Sequence, residues 1–458
     1  MLGNLIKDLW AVHKRPANEP PPATQTMVWP VKPLIEPRDS RLVVALSGPA
    51  RSGAFLGPLH SLGTLFEKMG YRYRLVNFES TDWFSQLQSA MQEGVRCVVA
   101  PAGAGTKLFP EFSGCPWAAS GVPFIKLLGD HPAYFPDRHR QDSVAHVNLY
   151  VYPDHLDFYE RRVRVPTLSD GVGATMPVVG LISPDVDTSK ISRQRNGRLA
   201  FYKNGNDPEA LRRLWREALP TAVHALLNHA AEELRSGMSH QSDVRAIERA
   251  VDNVLRAMNI SLLLPHDLLC FLNAQLDDYL RREKSTLIGR VLAKYPVDVF
   301  GDFWEHVDFS RGSAIWHGGG DYQKLMMTLP TYLAVVDMSP NAEGSVHERV
   351  TYAARLKTVC LTNATPFFSE HFPDMARYAF RFNEESIAQS VEHVLAYPDQ
   401  TVEAGFAAAT RYEQAFPEER YAKAIIDAAD LVHARLTHPR VQNFCVWSGT
   451  EIGGGRPR

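Results

Sequence analysis

The stretch from Thr331 to Ala364 constrains the fold most, because two hydrophobic patterns alternate within a short distance. An apolar run, Tyr332 to Val336, is followed by a polar turn, and helical periodicity begins near Ser345. A second apolar run, Thr358 to Leu361, comes directly after the helix. Strand, loop, helix and strand in this order predict a βαβ unit with parallel strands. Open α/β sheets bind ligands at the loops that follow their strands, so this loop is a candidate site.

The same alternation runs along most of the chain and predicts an α/β protein with two parallel-sheet domains. We place an N-terminal helix and proline-rich connector at 1–40, a first domain at 41–195, a second at 196–436 and a tail at 437–458. A helical stretch with few breakers, about 208–293, is interpreted as an insertion in the second domain. The last helical pattern, 400–436, is predicted to cross back onto the first domain. The strands predicted in the first domain are Leu42–Leu46, Tyr73–Phe78, Val95–Ala100, Val122–Leu128, His146–Tyr152 and Val178–Ile182. The first strand predicted in the second domain is Arg198–Tyr202.

Composition and charge narrow the class of protein. The chain has 458 residues and a formal net charge of -2, so it has no overall field that would attract nucleic acid. No apolar run has the roughly 18 residues of a membrane-spanning helix. The amphipathic N-terminal residues favour docking on the protein's own body, with peripheral membrane contact as the alternative. The five cysteines are scattered without a CxxC pair, and Cys97 and Cys360 fall in predicted strands, so buried thiols are expected at these two positions and a reducing, cytoplasmic location for the protein.

The loop SGPARSG, at 47–53, is the first candidate for a ligand-binding loop. It follows a predicted strand, opens a helix, and contains Gly48, Arg51, Ser52 and Gly53. Ala54-Phe55 stands where a nucleotide-binding P-loop has Lys and Ser or Thr, so Walker-type hydrolysis is not expected. The loop could line a ligand or be a plain tight turn, and the sequence favours neither.

Asp130 and His131 follow another predicted strand of the first domain. A histidine beside an aspartate at such a position is suited to act as general base on an acceptor hydroxyl. A turn in which Asp130 caps backbone amides is the structural alternative, and both interpretations stay open.

A glycine-rich run joins a predicted strand to a helix in the second domain. Gly318, Gly319 and Gly320 would let the backbone approach a ligand closely, and Asp321 can cap the helix that carries Lys324. A flexible loop without a ligand would look similar. Because the next βα unit also ends in a polar loop, we favour ligand contact.

The polar loop and helix start between 341 and 349 carry the strongest candidates. Glu348 is suited to accept hydrogen bonds from sugar or ribose hydroxyls, and Arg349 is suited to a pyrophosphate. The alternative is a capping box formed by Ser345 and Glu348, which is compatible with a ligand role. The histidines lack metal-site spacing, so no metal is predicted. The candidate residues of this segment are Asn341, Glu343, His347, Glu348 and Arg349.

Residues 296–397 resemble the nucleotide-sugar-binding half of GT-B glycosyltransferases of the group-1 type. The segment HERVTYAARLKTVCLTN, at 347–363, is similar to a stretch of that family, especially in its spore-maturation-protein-like (CgeB-like) group. The resemblance implies two Rossmann-like domains facing across a cleft. It implies transfer of a sugar from a nucleotide-sugar donor to the hydroxyl of a glycan, lipid or protein acceptor, with no cofactor and no metal.

The resemblance also implies roles for individual residues. The first domain would supply the acceptor side, with the loop of Gly48 to Gly53 and with His131 or Asp130 as base if the enzyme inverts. Two Glu residues eight positions apart, common in retaining members, are absent, because Thr351 lies eight after Glu343. Donor contacts would come from Gly318, Gly319, Lys324, Asn341, Glu343, His347, Glu348, Arg349, Thr362 and Asn363.

Two other functions are compatible with the same sequence. A nucleotide-sugar epimerase can be built on the same two-domain scaffold, and a non-catalytic descendant would bind a sugar nucleotide or a partner protein. Fold alone does not separate these classes. The sequence does not identify the sugar, the acceptor, the stereochemical outcome or the oligomeric state.

Overall fold

The structure is a computed structural model. It describes residues 33–48, 56–106, 116–140, 143–164, 171–176, 180–182, 186–238, 245–259 and 265–437. The described chain divides into two compact units, one of residues 33–186 with 416–437 and one of residues 187–415. The predicted N-terminal helix and most of the proline-rich connector lie outside the described residues, and so does the tail beyond Thr437.

The first unit is built on a six-stranded sheet in which every neighbouring pair is parallel, in the order β2-β1-β3-β4-β5-β6. All six residues of β1 are buried, as expected of a strand covered on both faces by helices. The strands are β1 (Leu42–Ser47), β2 (Arg72–Asn77), β3 (Cys97–Pro101), β4 (Phe124–Leu128), β5 (His146–Tyr150) and β6 (Val172–Thr175). The helices are α1 (Leu56–Lys68), α2 (Trp83–Glu93), α3 (Pro116–Ala119), α4 (Pro136–His139) and α5 (Pro153–Phe158).

The strand predicted at Val178–Ile182 is not found in the described part of that range, and residues 178–179 lie outside the described residues. The sixth strand is β6, which pairs with β5 from Val147↔Val172 to Tyr150↔Thr175, and residues 180–182 are irregular. Leu181 and Ile182 are nevertheless buried, so their apolar character reflects burial of a loop and not a sheet ladder.

The second unit is built on a five-stranded parallel sheet in the order β11-β10-β7-β8-β9. Its strands are β7 (Leu199–Tyr202), β8 (Val297–Phe300), β9 (Ile315–Trp316), β10 (Ala334–Val336) and β11 (Val359–Leu361). Two parallel α/β sheets therefore confirm the predicted fold class. Each sheet, with its own helices, belongs to a separate compact unit.

The predicted helical insertion is present between β7 and β8. It consists of α6 (Pro208–Ala218), α7 (Thr221–Ser236), α8 (Ala246–Ala257) and α9 (His266–Leu292). These helices share an apolar core of their own, which includes Trp215, Leu227, Val251 and Leu276. The insertion is therefore a packed helical layer and not a long crossover. The remaining helices of this unit are α10 (Tyr322–Met327), α11 (Glu348–Arg355), α12 (Pro366–His371), α13 (Pro373–Ala376), α14 (Glu384–Ala396) and α15 (Pro398–Ala415).

The last helix, α16 (Glu418–Thr437), packs against α1, β4 and β5 of the first unit. His433 Nε2 lies 2.9 Å from the carbonyl oxygen of Arg96, and Arg96 also pairs with Asp430. The predicted return of the C-terminal helix to the first domain is confirmed. The single helix predicted at 400–436 is instead two, because Pro417 cannot continue the hydrogen-bonded ladder of α15.

Candidate functional site

The candidate site lies where three neighbouring strands of the second sheet end. Strand β10 is flanked by β7 and β11, and parallel neighbours finish at the same edge of a sheet. Lys203 follows β7, Asp337 follows β10, and Thr362 and Asn363 follow β11. The βαβ pattern therefore brings the predicted loop, 337–347, beside residues from two other strands.

Helix α11 begins later than the sequence indicated. Its first residue is Glu348, and the N-cap is His347, whose Nδ1 accepts a hydrogen bond from the backbone N–H of Arg349. The predicted start near Ser345 and the Ser345–Glu348 capping box are therefore wrong, because the imidazole occupies the capping position. Ser345 is buried, and its hydroxyl oxygen has no hydrogen-bond partner among the described residues.

A buried ion pair connects the loop to the start of the helix. Arg349 Nε donates to Asp337 Oδ1 at 2.6 Å, and the Asp337 side chain is fully buried. Burial alone would raise the pKa of Asp337, but the charges of Arg349 and His347 outweigh it and hold that pKa below the usual value. The two terminal nitrogens of Arg349 have no hydrogen-bond partner within the described ranges, so they remain able to bind a ligand.

His347 and Glu348 form a second pair beside the first. His347 Nε2 lies 3.4 Å from Glu348 Oε2, and the hydroxyl of Tyr322 donates to Glu348 Oε1 at 3.1 Å. Burial, together with Arg349, lowers the pKa of His347, so the imidazole is neutral at pH 7. Because Nδ1 accepts the capping bond, the proton of this neutral ring lies on Nε2, facing Glu348.

Lys203 was not predicted as a site residue, although it directly follows a predicted strand. Burial is the main cause that lowers its pKa to about 8. The charges of Arg349 and Arg281 act in the same direction, and those of Asp337 and Asp278 act against it. No acceptor or carboxylate within the described part of the chain is hydrogen-bonded to its ammonium group, so Lys203 offers positive charge to an anion beside Arg349.

The other donor-side candidates of this loop have partners in the chain. Asn341 accepts from Lys284 Nζ at 2.7 Å and donates to Asp277 Oδ1 at 2.8 Å. Asn363 Oδ1 accepts from the backbone N–H of Ser339, which fixes the turn after β10. Two further candidates are Glu343, whose charge acts on Lys284, and Thr362, whose buried hydroxyl lacks a partner among the described residues.

The glycine-rich run is shaped by a carboxylate of its own unit. The backbone N–H of Gly319 donates to Asp302 Oδ1 at 2.8 Å, and a Cβ atom at this position would lie 2.6 Å from Asp302 Oδ2. Gly318 has φ +76° and its carbonyl accepts from the N–H of Gly301. Lys324 lies on the exposed side of α10. The close approach here is therefore to Asp302, and the ligand role of the run remains a prediction.

The first-unit candidates lie at the carboxyl end of β4 and β1. His131 is buried, its Nδ1 accepts from the backbone N–H of Ala133 at 3.2 Å, and its ring packs on Phe158. Asp130, by contrast, is exposed. Gly48 directly follows β1, whereas the predicted residues Arg51, Ser52 and Gly53 lie outside the described residues.

The described ranges contain no metal-binding cluster and no membrane-spanning helix. No group of three or more His, Cys, Asp or Glu side chains there is arranged to hold a metal ion. No helix in those ranges has both the length and the apolar character needed to cross a membrane. Cys97 and Cys360 are buried thiols, as predicted, and Cys270 is buried as well.

No protein-family model matches the sequence, and no curated protein matches it. Among solved structures, BGT of phage T4 in complex with its UDP-glucose substrate aligns with a TM-score of 0.46 and 10% identity, over 85% of this chain and 99% of that one. Sucrose-phosphate synthase from Thermosynechococcus elongatus aligns with a TM-score of 0.40 and 9% identity, over 87% and 99%. The glycosyltransferase SnogD from Streptomyces nogalater has values of 0.35 and 11%, over 85% and 100%. Similarities this low carry no argument about the chemistry of this chain.

Proposed function

We propose that this chain is a glycosyltransferase that binds a nucleotide-sugar donor at the carboxyl ends of β7, β10 and β11. One observation carries the proposal: Lys203 and Arg349 lie within electrostatic reach of each other, and no carboxylate among the described residues is hydrogen-bonded to the ammonium of Lys203. A diphosphate would give that ammonium a direct anionic partner, and a guanidinium can bind it in a bidentate manner.

The surrounding groups support a sugar or ribose as the neighbour of that diphosphate. Burial would raise the pKa of Glu348, but His347 and Arg349 outweigh it and hold that pKa below its usual value, so the carboxylate is charged at pH 7. A charged carboxylate accepts hydrogen bonds from adjacent hydroxyls. Thr362, with its buried hydroxyl at the end of β11, offers a further group for the same ligand.

The proposed reaction is attack by an acceptor hydroxyl oxygen on the anomeric carbon of the donor. A carbon–oxygen bond to the acceptor forms, the bond from the anomeric carbon to the phosphate oxygen breaks, and the acceptor proton passes to a base. Lys203 and Arg349 would stabilise the departing nucleoside diphosphate, in place of a metal ion. Of the two predicted bases, Asp130 is exposed and His131 is buried with Nδ1 engaged, so we propose Asp130 as the base of an inverting reaction.

The proposal is tested by incubating the purified protein with UDP-, GDP- and ADP-sugars and an acceptor mixture of glycans, lipids and peptides. We expect release of nucleoside diphosphate from one donor, unchanged by EDTA. Arg349→Ala should weaken binding of that diphosphate by about ten- to a hundredfold in titration calorimetry, because a charge-assisted contact is lost.

Arg411→Ala is the matched control, since Arg411 lies in an exposed ion pair with Asp374. Equal affinity of the wild type and Arg349→Ala would contradict the assignment of the site. Stabilisation by a nucleotide without any turnover would instead indicate a binding protein, and rearrangement of the sugar without an acceptor would indicate an epimerase.

A further inference from the structure

Helix α9, the last helix of the insertion, contacts the loops that follow three strands of the second sheet. Two of these contacts reach the segment after β7. Arg282 Nη1 donates to the carbonyl oxygen of Asp207 at 3.2 Å, and Ser285 Oγ donates to the carbonyl oxygen of Gly205 at 3.4 Å. This segment begins with Lys203, so the helix supports the backbone of the segment that carries Lys203.

The same helix also supports the segment after β8. Thr286 Oγ1 lies 2.9 Å from His306 Nε2. One turn further along, Gly289 faces the ring of Trp304, where an added Cβ would lie 2.5 Å from the indole. Glycine is thus required for the helix to lie this close to the loop.

The third contact reaches the candidate site itself. Lys284 is 5% exposed, and its Nζ donates to Asn341 Oδ1 at 2.7 Å. Asn341 Nδ2 in turn donates to Oδ1 of Asp277, which is 1% exposed and lies about two helical turns before Lys284 on α9. The Lys284 ammonium also lies 4.4 Å from the ring centroid of Phe382. The loop amide is therefore held from both sides by buried charges of one helix.

A buried charged pair is an expensive way to stabilise a fold, because apolar side chains of similar volume serve at least as well. It does provide a single defined geometry. Asn341 lies within the loop whose two ends carry Asp337 and His347, so fixing its amide fixes the separation of the residues that orient Arg349. The network therefore bears on ligand geometry and not only on packing.

We propose that the helical insertion is part of the donor site, and that Lys284 is a positioning residue that holds the 337–347 loop through Asn341. This inference rests on the proposed function. Without Lys284 the loop amide loses its donor, and the loop moves away from the arrangement in which Lys203 and Arg349 share one anion. Lys284 itself does not contact the ligand.

The test compares Lys284→Met, Asn341→Ala and the double variant, with inorganic pyrophosphate, UDP, GDP and ADP as probes in titration calorimetry at 25 °C. For the probe that the wild type binds most tightly, each single variant should have an affinity about tenfold lower, which is the loss expected for one charge-assisted hydrogen bond. The affinity of the double variant should be no lower than that of the single variant that binds less tightly, because both changes break the same contact.

Lys294→Met is the control, since Lys294 is exposed just beyond the end of α9, and it should leave affinity unchanged. Thermal unfolding is measured on every variant, so that affinities are compared only below the melting transition. If Lys284→Met melts earlier but binds the probe as tightly as the wild type, Lys284 has a structural role only and the inference is overturned. If Lys284→Met does not fold, unchanged affinity of Asn341→Ala overturns it in the same way.

The inference and the proposed function fail differently in this experiment. Absence of binding to every probe by the wild type would overturn both. Binding by the wild type that is lost in Arg349→Ala and retained in Lys284→Met and Asn341→Ala would overturn only the role of Lys284.

Discussion

Both units carry polar side chains in or after parallel strands, but these side chains have different partners. In the first unit, the fully buried Lys126 donates to the carbonyl oxygens of Arg138 and Arg140 at 3.0 and 3.1 Å. His139 lies 3.1 Å from the hydroxyl of Tyr150. In the second unit, the ammonium of Lys203 has no such acceptor among the described residues.

This difference separates groups that hold a loop from groups that are prepared for a ligand. A buried cation bonded to main-chain carbonyls needs nothing further, because its desolvation is already compensated. A cation without a bonded acceptor gains a direct partner when an anion binds. By this criterion the second unit is the one that we propose to bind the ligand, whereas Asp130 is exposed in the first unit.

The largest expected effect would challenge this division of roles. Asp130→Asn should lower turnover by about a hundredfold or more, because a general base contributes roughly 10²- to 10⁴-fold. Donor affinity should stay unchanged, because Lys203 and Arg349 are intact. Steady-state kinetics with the identified donor, together with calorimetry, measures both quantities. Unchanged turnover would remove Asp130 from the chemistry.

The next effect concerns the stability of the second unit. Asp337→Ala leaves Arg349 buried without its partner and should lower the free energy of unfolding by about 3–5 kcal/mol. Urea unfolding of the wild type and of Asp337→Ala measures this difference in the free energy of unfolding. Asp374→Ala, which breaks a more exposed pair with Arg411, should change the same quantity by about 1 kcal/mol or less. Similar losses in both variants would mean that Asp337 is not the counter-ion that organises the site.

Lys203→Met should act in opposite directions on stability and on binding. It should weaken nucleoside diphosphate binding by about ten- to a hundredfold, because a cation is lost. It should also raise the melting temperature of the ligand-free protein, because repulsion with Arg349 and Arg281 disappears. Lys126→Met, in the first unit, should lower the melting temperature, since two carbonyl groups lose their donor. A melting temperature lowered by Lys203→Met would show that Lys203 is already compensated.

The smallest expected effect is a pH dependence. Burial lowers the pKa of Lys203 and of Lys284 to about 8, so both lose charge as the pH rises through 8. An anion binds the charged form, and affinity for a nucleoside diphosphate should fall by about tenfold between pH 7 and pH 9. The ligand-free protein should gain stability over the same interval, because the unfolded chain there binds more protons.

Lys203→Met serves as the reference for this pH series. It should retain only the part of the decline that comes from Lys284, together with a smaller gain in stability. Calorimetry and thermal unfolding at matched pH values give both curves. An affinity that rises between pH 7 and pH 9 in the wild type would contradict an anion site built on lysine.

Sequence reasoning found the elements whose signal is local. The apolar runs of β7, β10 and β11 and the breaker-poor insertion were all predicted, since each depends on neighbouring residues only. The start of α11 was missed because Ser345 and His347 are both able to cap a helix, and only tertiary packing selects between them. The prediction of a single helix at 400–436 is wrong because Pro417 separates α15 from α16.

The partners within the site could not be predicted in the same way. Lys284 and Asp277 meet Asn341 across 57 and 64 positions of the chain, and no local pattern records that meeting. Lys203 offered one weak signal, a lysine directly after an apolar strand. That no acceptor among the described residues is bonded to its ammonium is a property of the folded chain and not of the sequence pattern.

The return of α16 to the first unit has a consequence for biosynthesis. Strands β1 to β6 are synthesised early, but α16, the helix that packs on α1, β4 and β5, is synthesised last, after the entire second unit. One apolar face of the N-terminal sheet therefore remains uncovered while more than two hundred further residues are translated. As a result, folding of the first unit cannot be completed before the second unit has been synthesised. A nascent chain stalled before Glu418 should bind chaperones, whereas one stalled well beyond Thr437 should be released from them.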